Sequence, residues 1–227
     1  MIKTSSLRYF LCTIAIVISA AAARAGTIAQ WTFESSIPTT SGPISPEVGS
    51  GTGTSVHAIP NSFSNPSGNG SAESWNSDSW AIGDYYQFQV STAGLSNIGF
   101  AWDQTRSSAG PGQPSPSTNN FRLQFSTDGS SFTDVVDYLV QALTWNNTTP
   151  VTASQFSQSL STYPQLDNQS TVYFRLTAIQ AAQNSGGQSR VDNIIVTGAE
   201  IPEPATWLLL ATACCIAARS RRRRCQE

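Results

Sequence analysis

Residues 26–200 of this 227-residue chain predict an all-β fold, a single antiparallel β-sandwich of the jelly-roll kind. Three observations predict it. Several short segments alternate apolar and polar residues with a period of two, runs of Ser, Asn, Gly and Pro separate them, and no convincing 3.6-residue helical spacing interrupts the pattern. The two ends read differently, as an N-terminal signal-peptide helix over 1–25 and a short C-terminal transmembrane helix within 201–227.

The strands come in chain order. "YYQFQV" sets Tyr86, Phe88 and Val90 on one face against Gln87 and Gln89 on the other. "NIGFAW" does the same with Ile98, Phe100 and Trp102, "NFRLQFS" with Phe121, Leu123 and Phe125, and "TVYFRLTA" with Val172, Phe174 and Leu176. Such alternation predicts half-buried antiparallel strands with the apolar side inward. Asp128-Gly129 in "STDGSSF" predicts a hairpin turn, because glycine takes positive φ without a steric penalty. The first and last strands are expected in "IAQWTFE" and "RVDNIIVTG". Two long polar segments, "PNSFSNPSGNGSAESWNSDSW" and "RSSAGPGQPSPSTNN", are expected to run over the surface. In "QALTWNNTTPVTASQFSQSLSTYPQ" a short helix and an edge strand fit equally well.

At the N-terminus Lys3 and Arg8 make a positive head, Tyr9 to Ala20 an apolar middle, and Ala23-Arg24-Ala25 a small-x-small cleavage site. That is the pattern of a secretory signal peptide cut by signal peptidase before Gly26. The apolar run is too short for a membrane anchor, which needs roughly 20 residues. At the other end, the apolar run from Ala205 to Ala218 makes a helix of about 21 Å, against a bilayer core of about 30 Å. Arg219, Arg221, Arg222, Arg223 and Arg224 follow it and hold their end on the cytoplasmic side. Pro202-Glu203-Pro204 stands just before the helix, where two prolines keep the backbone extended. An ordinary tail anchor behind a stiff hinge is the plain alternative.

This tail, "IPEPATWLLL…RSRRRR", resembles the PEP-CTERM sorting signal, a Pro-Glu-Pro motif followed by an apolar segment and an arginine cluster. The resemblance implies recognition of Pro202, Glu203 and Pro204 by an exosortase, transient anchoring in the inner membrane, and delivery to the cell surface or beyond. It also implies an association with exopolysaccharide and biofilm matrix.

All four cysteines lie in the two ends, at Cys12, Cys214, Cys215 and Cys225, so the body must fold without disulfides. Residues 26–200 hold no lysine, and their four arginines face twelve acids, a net charge of −8. An acidic body with no basic stripe argues against nucleic acid as a partner.

The body also resembles, more loosely, the jelly-roll modules that include galactose-binding-like and laminin-G-like domains. "WTFES", "FRLQFSTDGSSFTDV" and "RVDNIIVTG" carry the likeness. It implies that the terminal strands pair and that Glu34 and Asp192 join a structural calcium site. Calcium would need further oxygens, since it takes six to eight. The plain alternative makes Glu34 a solvated acid and leaves Asp192 to cap a turn or pair with Arg190 or Arg175.

No catalytic set stands out. His57 is the one histidine and lacks a nucleophile elbow beside it, so packing is its expected role. Glu73, Asp78, Asp84 and Asp103 would serve glycoside hydrolysis only if two of them met in space. Trp75 and Trp145 sit in loop-like contexts and are the candidate sugar-stacking residues, with Trp80 and Trp102 expected in the core. Two readings stay open: a non-catalytic surface or matrix protein, and a carbohydrate-binding module that acts on extracellular polysaccharide.

Overall fold

The computed structural model describes residues 25–112 and 118–201. The expected signal peptide up to Arg24, the Pro202-Glu203-Pro204 motif and the arginine cluster lie outside the described residues. Twelve strands run in chain order: β1 (Ala25–Trp31), β2 (Val48–Gly49), β3 (Thr52–Val56), β4 (Phe63–Ser64), β5 (Trp75–Ser77), β6 (Tyr85–Val90), β7 (Leu95–Arg106), β8 (Phe121–Ser126), β9 (Thr133–Tyr138), β10 (Gln155–Ser159), β11 (Val172–Ala178) and β12 (Ser189–Glu200). Two 3-10 turns, Thr152–Ser154 and Pro164–Leu166, are the other regular elements. Among the described residues no helix is long and apolar enough to cross a membrane.

The strands form two antiparallel sheets. One has the order β10-β7-β12-β1-β2, with β5 also on β12 and β4 on β5; the other has the order β3-β6-β11-β8-β9. The chain passes repeatedly from one sheet to the other, as a jelly roll does. The terminal strands pair as expected, with Ala25 opposite Ala199 and Trp31 opposite Ile194. The first strand ends earlier than the sequence suggests, because Phe33 takes a positive φ of 61° and turns the chain away. Strand β12 changes partner along its length. Ser189, Arg190 and Val191 pair with β5, and from Ile194 the same edge pairs with β1. The register against β7 slips between Asp192 and Ile195, where that change of partner falls.

Each alternation read from the sequence places its apolar set inward: Tyr86, Phe88 and Val90; Ile98, Phe100 and Trp102; Phe121, Leu123 and Phe125; Val172, Phe174 and Leu176. They meet as one core between the sheets, and aromatic rings dominate its middle. The β8–β9 turn forms at Asp128-Gly129, with Gly129 at φ 74°. Backbone N–H groups of Ser131 and Ser130 donate to the Asp128 carboxylate and hold its pKa well below the usual range. The undecided segment supplies both a helical turn and an edge strand, Thr152–Ser154 followed by β10.

The expectation for the first long polar segment fails. The segment "PNSFSNPSGNGSAESWNSDSW" does not run over the surface as a loop. It contributes β4 and β5 to a sheet, and Asn69, Ser74, Trp75, Asn76 and Ser77 are all buried. Its polar residues find partners inside the fold, so their polarity does not oppose burial.

Candidate functional site

Near the start of β12, three side chains line up across the outer face of the larger sheet. Register places Arg190 opposite Asn76 of β5 on one side and Thr105 of β7 on the other. Beneath this row, on the inner face, Tyr138 donates to Gln104 Oε1 (2.7 Å), Gln104 Nε2 donates to Ser189 Oγ (3.1 Å), and the Tyr86 hydroxyl bonds Ser189 O (2.8 Å) and pairs with Ser77 Oγ (2.8 Å). A buried network with these partners fixes the register of β5, β7 and β12. Above the row lies the segment after β9, tied down where Thr105 Oγ1 donates to Leu143 O (2.8 Å) and to Gln141 O (3.1 Å). The space between is a cleft of about 420 Å³ lined by Asn76, Thr105, Arg106, Trp145, Gln188 and Arg190, among others. That size suits a few sugar rings or a small organic ligand.

The charges at this cleft are unusual for so acidic a chain. Arg190 donates from Nη1 to Ser67 O (3.0 Å) and its guanidinium carbon lies 5.8 Å from the Trp145 ring centroid, but its Nε has no hydrogen-bond partner among the described residues. Arg106 is 4% exposed and donates to Val140 O (2.9 Å) and Ser107 O (3.1 Å). Burial lowers the pKa of both. Neither is salt-bridged to a carboxylate among the described residues. Asn76 donates from Nδ2 to Ser64 Oγ (2.9 Å) while its Oδ1 has no partner among the described residues.

Two residues along the same face sits a buried carboxylate pair, Asp103 opposite Asp192. Asn69 spans it, donating from its backbone N to Asp192 Oδ2 (2.8 Å) and from Nδ2 to Asp103 Oδ2 (2.9 Å). Ser71 Oγ and Asn193 Nδ2 also reach Asp192 Oδ2, at 2.6 and 3.3 Å, and Asn193 N reaches Oδ1 at 2.7 Å. Burial pushes the Asp192 carboxyl up to about 7 against these donors, and the Asp103 charge adds to the rise. The pair clamps the 65–74 segment onto the sheet, and Val151 N, donating to Asn69 Oδ1 (2.6 Å), joins a second loop to the clamp.

The structure also tests the fit of calcium. Glu34 Oε1 accepts from Glu73 N (2.9 Å), so Glu34 and Asp192 grip the same segment. Both Asp192 oxygens, however, already accept N–H or O–H donors where a cation would have to sit. No three acidic, histidine or cysteine side chains converge among the described residues. This donor set fits a hydrogen-bonded clamp and not a site for a cation wanting six or more oxygens. Removing divalent cations with EDTA should therefore leave the thermal midpoint unchanged to within about a degree; a drop of several degrees would restore the calcium site.

The two candidate tryptophans fall elsewhere than expected. Trp75 is fully buried, packed near Phe33, Phe63, Tyr86 and Phe88, with its Nε1 donating to Thr40 O (3.2 Å). A ring with no exposed face cannot stack on a sugar. Trp145 does line the cleft, yet it is 5% exposed and its Nε1 is spent on Ser154 Oγ (2.8 Å). Trp80 and Trp102 are core residues, as expected.

His57 has company the sequence did not reveal. Its Nε2 lies 3.1 Å from Ser55 Oγ and its Nδ1 3.2 Å from Asp84 Oδ2, the order of a nucleophile triad. The access of such a triad is missing. The histidine and aspartate side chains are each 2% exposed, Ser55 is 5% exposed, and Trp80 packs edge-on against the imidazole. Asp84 also accepts from Ala58 N (2.8 Å) and Ala81 N (2.6 Å), which ties two loops together. The group reads as a packing strut. The remaining acids do not converge: Asp78 holds Ser62, and Glu73 holds Asn65.

No protein-family model matches the chain, and no curated protein matches it. Among solved structures, the chain is similar to the N-terminal CBM22-1-CBM22-2 tandem domain of Xyn10C from Paenibacillus barcinonensis, at 10% identity and a TM-score of 0.46, over 82% of this chain and 50% of that one. It is also similar to the K2 cleaved adhesin domain of Lys-gingipain, at 13% identity and a TM-score of 0.42, over 76% of this chain and 97% of that one. The chain spans about half the length of the first. Likeness at this level says nothing of what the chain binds or does.

Proposed function

We propose that this chain is an exported, non-catalytic surface or matrix protein, sorted by an exosortase through its C-terminal signal, whose sandwich holds extracellular polysaccharide in the cleft at the start of β12. The cleft carries the binding half of this reading. It is lined by Asn, Gln, Ser, Thr and Arg side chains suited to hydroxyl groups, and Asn76 Oδ1 and Arg190 Nε have no partner among the described residues. The order Pro-Glu-Pro, apolar run, arginine cluster supports the sorting half, together with the export signal at the other end. The link to exopolysaccharide and biofilm rests on that tail's resemblance. A glycan array probed with the full chain tests the binding half, and a blank array leaves a purely structural matrix role.

Sorting has a separate test. Replacing Pro202, Glu203 and Pro204 with alanine should leave unprocessed protein in the inner membrane of a cell that possesses the exosortase. Fractionation and mass spectrometry of the tail read the result, and unchanged processing would refute the assignment.

A further inference from the structure

We infer that the cleft selects acidic polysaccharide, meaning sugar residues that carry an oxyanion, and that Arg190 is the residue that makes the selection; this rests on the cleft being the polysaccharide site. The argument begins with the four arginines of residues 26–200. Arg122 is neutralised by Asp134 and Asp137 on the outer face of the five-stranded sheet. Arg175, on the same face, bonds Gln87 and stacks on Tyr85 and Phe132, at 3.8 and 3.5 Å from the two ring centroids. The remaining two, Arg106 and Arg190, both line the cleft and neither is salt-bridged to a carboxylate among the described residues.

A desolvated guanidinium without a counter-ion is costly, and folded chains rarely keep one without use for it. Here two occur together in a body of net charge −8. The nearest acid along the face, Asp192, is turned to Asn69, Ser71 and Asn193 under the clamp, and burial favours its neutral form. The cleft is thus a positive spot on a negative protein. A carboxylate or sulfate ester on a sugar ring would supply the missing counter-charge, and guanidinium groups bind such planar or trigonal oxyanions with good geometry. Gln188 and Asn76 remain for the hydroxyls. Within residues 26–200 the negative remainder would repel a polyanion, which leaves the cleft as the favoured place in the body.

The test uses the full chain in mild detergent with Arg219, Arg221, Arg222, Arg223 and Arg224 replaced by glutamine, so that the tail offers polyanions no site of its own. It is titrated calorimetrically with alginate and polygalacturonate (carboxylates), dextran sulfate (sulfate esters) and dextran (neutral). Binding of a charged polymer over dextran, weakening as salt rises, is the expected result, and the carboxylate and sulfate arms tell which oxyanion is preferred. Arg190→Gln should weaken that binding about tenfold or more, while Arg122→Gln leaves it unchanged. Because Arg190 is largely covered, Asn76→Asp is the second variant: it keeps the side-chain shape and sets a carboxylate opposite Arg190 in the register. It should remove binding of the charged polymers with the fold intact by circular dichroism. Equal affinity for dextran, or undiminished affinity for the charged polymers in Asn76→Asp, overturns the inference and leaves polysaccharide binding standing. No binding of any of the four polymers overturns both.

Discussion

Trp75→Ala is expected to yield protein that is unfolded or insoluble, not protein that has merely lost a sugar contact. The ring is 0% exposed and has its centroid 5.0 Å from that of Tyr86 and 5.9 Å from that of Phe33. Truncating a buried tryptophan costs about 3–5 kcal/mol, through lost burial and the cavity left behind. Native domains have only about 5–15 kcal/mol to lose. The strand that carries Trp75 has just three residues, so its place against β12 depends on that anchor. Urea denaturation reads the effect: the midpoint should fall steeply in Trp75→Ala and recover in part in Trp75→Phe. A midpoint close to the parent's would mean that the ring is dispensable to the core.

The second large effect concerns pH. Asp192 holds its proton more tightly in the folded chain, with a pKa of about 7 against an ordinary 3.8. Its stabilising contribution is therefore complete below about pH 4 and is lost as the pH climbs towards 7. Asp103, also raised by burial, acts in the same direction. His57 acts in the opposite sense. Burial lowers its pKa below 6.5, so stability falls as the medium becomes acidic enough to charge the unfolded histidine. The two effects oppose each other below about pH 6.5, and above it the loss from Asp192 proceeds unopposed. Asp192→Asn isolates the alkaline limb: between pH 5 and pH 8 the parent's midpoint should drop by roughly 5–10 °C more than the variant's. Parallel slopes in parent and variant would show that the carboxylate pair does not titrate in this range.

What sequence could and could not disclose follows from the distances over which the interactions act. The period-two strands announced themselves because each one's burial is written in its own residues, as in Phe121, Leu123 and Phe125. The Asp128-Gly129 turn was equally local. Strand β5 was not, since Trp75-Asn76-Ser77 becomes a strand only by pairing with Val191, Arg190 and Ser189 from the far end of the chain. Polar composition made that segment look like surface and made Trp75 look available. The same cause hid the cleft, whose floor joins three strands distant in sequence, and the contact of Asn69 with Asp192 across 123 positions. The Ser55–His57–Asp84 chain needed a partner 27 positions on from the histidine, which no spacing rule marks. Asp192 was read from the sequence as a calcium ligand, whereas the partners it shows are hydrogen-bond donors that let it fasten a loop.

The antiparallel pairing of the first and last strands has an orientational consequence. Ala25 and Ala199 are neighbours, and the Ile201 N–H is fixed to Gly94 O at the point where the chain leaves the sheet. Arg190 lies ten residues back along β12, a separation of roughly 30 Å at about 3.3 Å per residue. Entry and exit thus share one pole of the molecule while the positively charged hollow occupies the other. Should the chain be held by its C-terminal end, as proposed, the cleft would face away from the point of attachment.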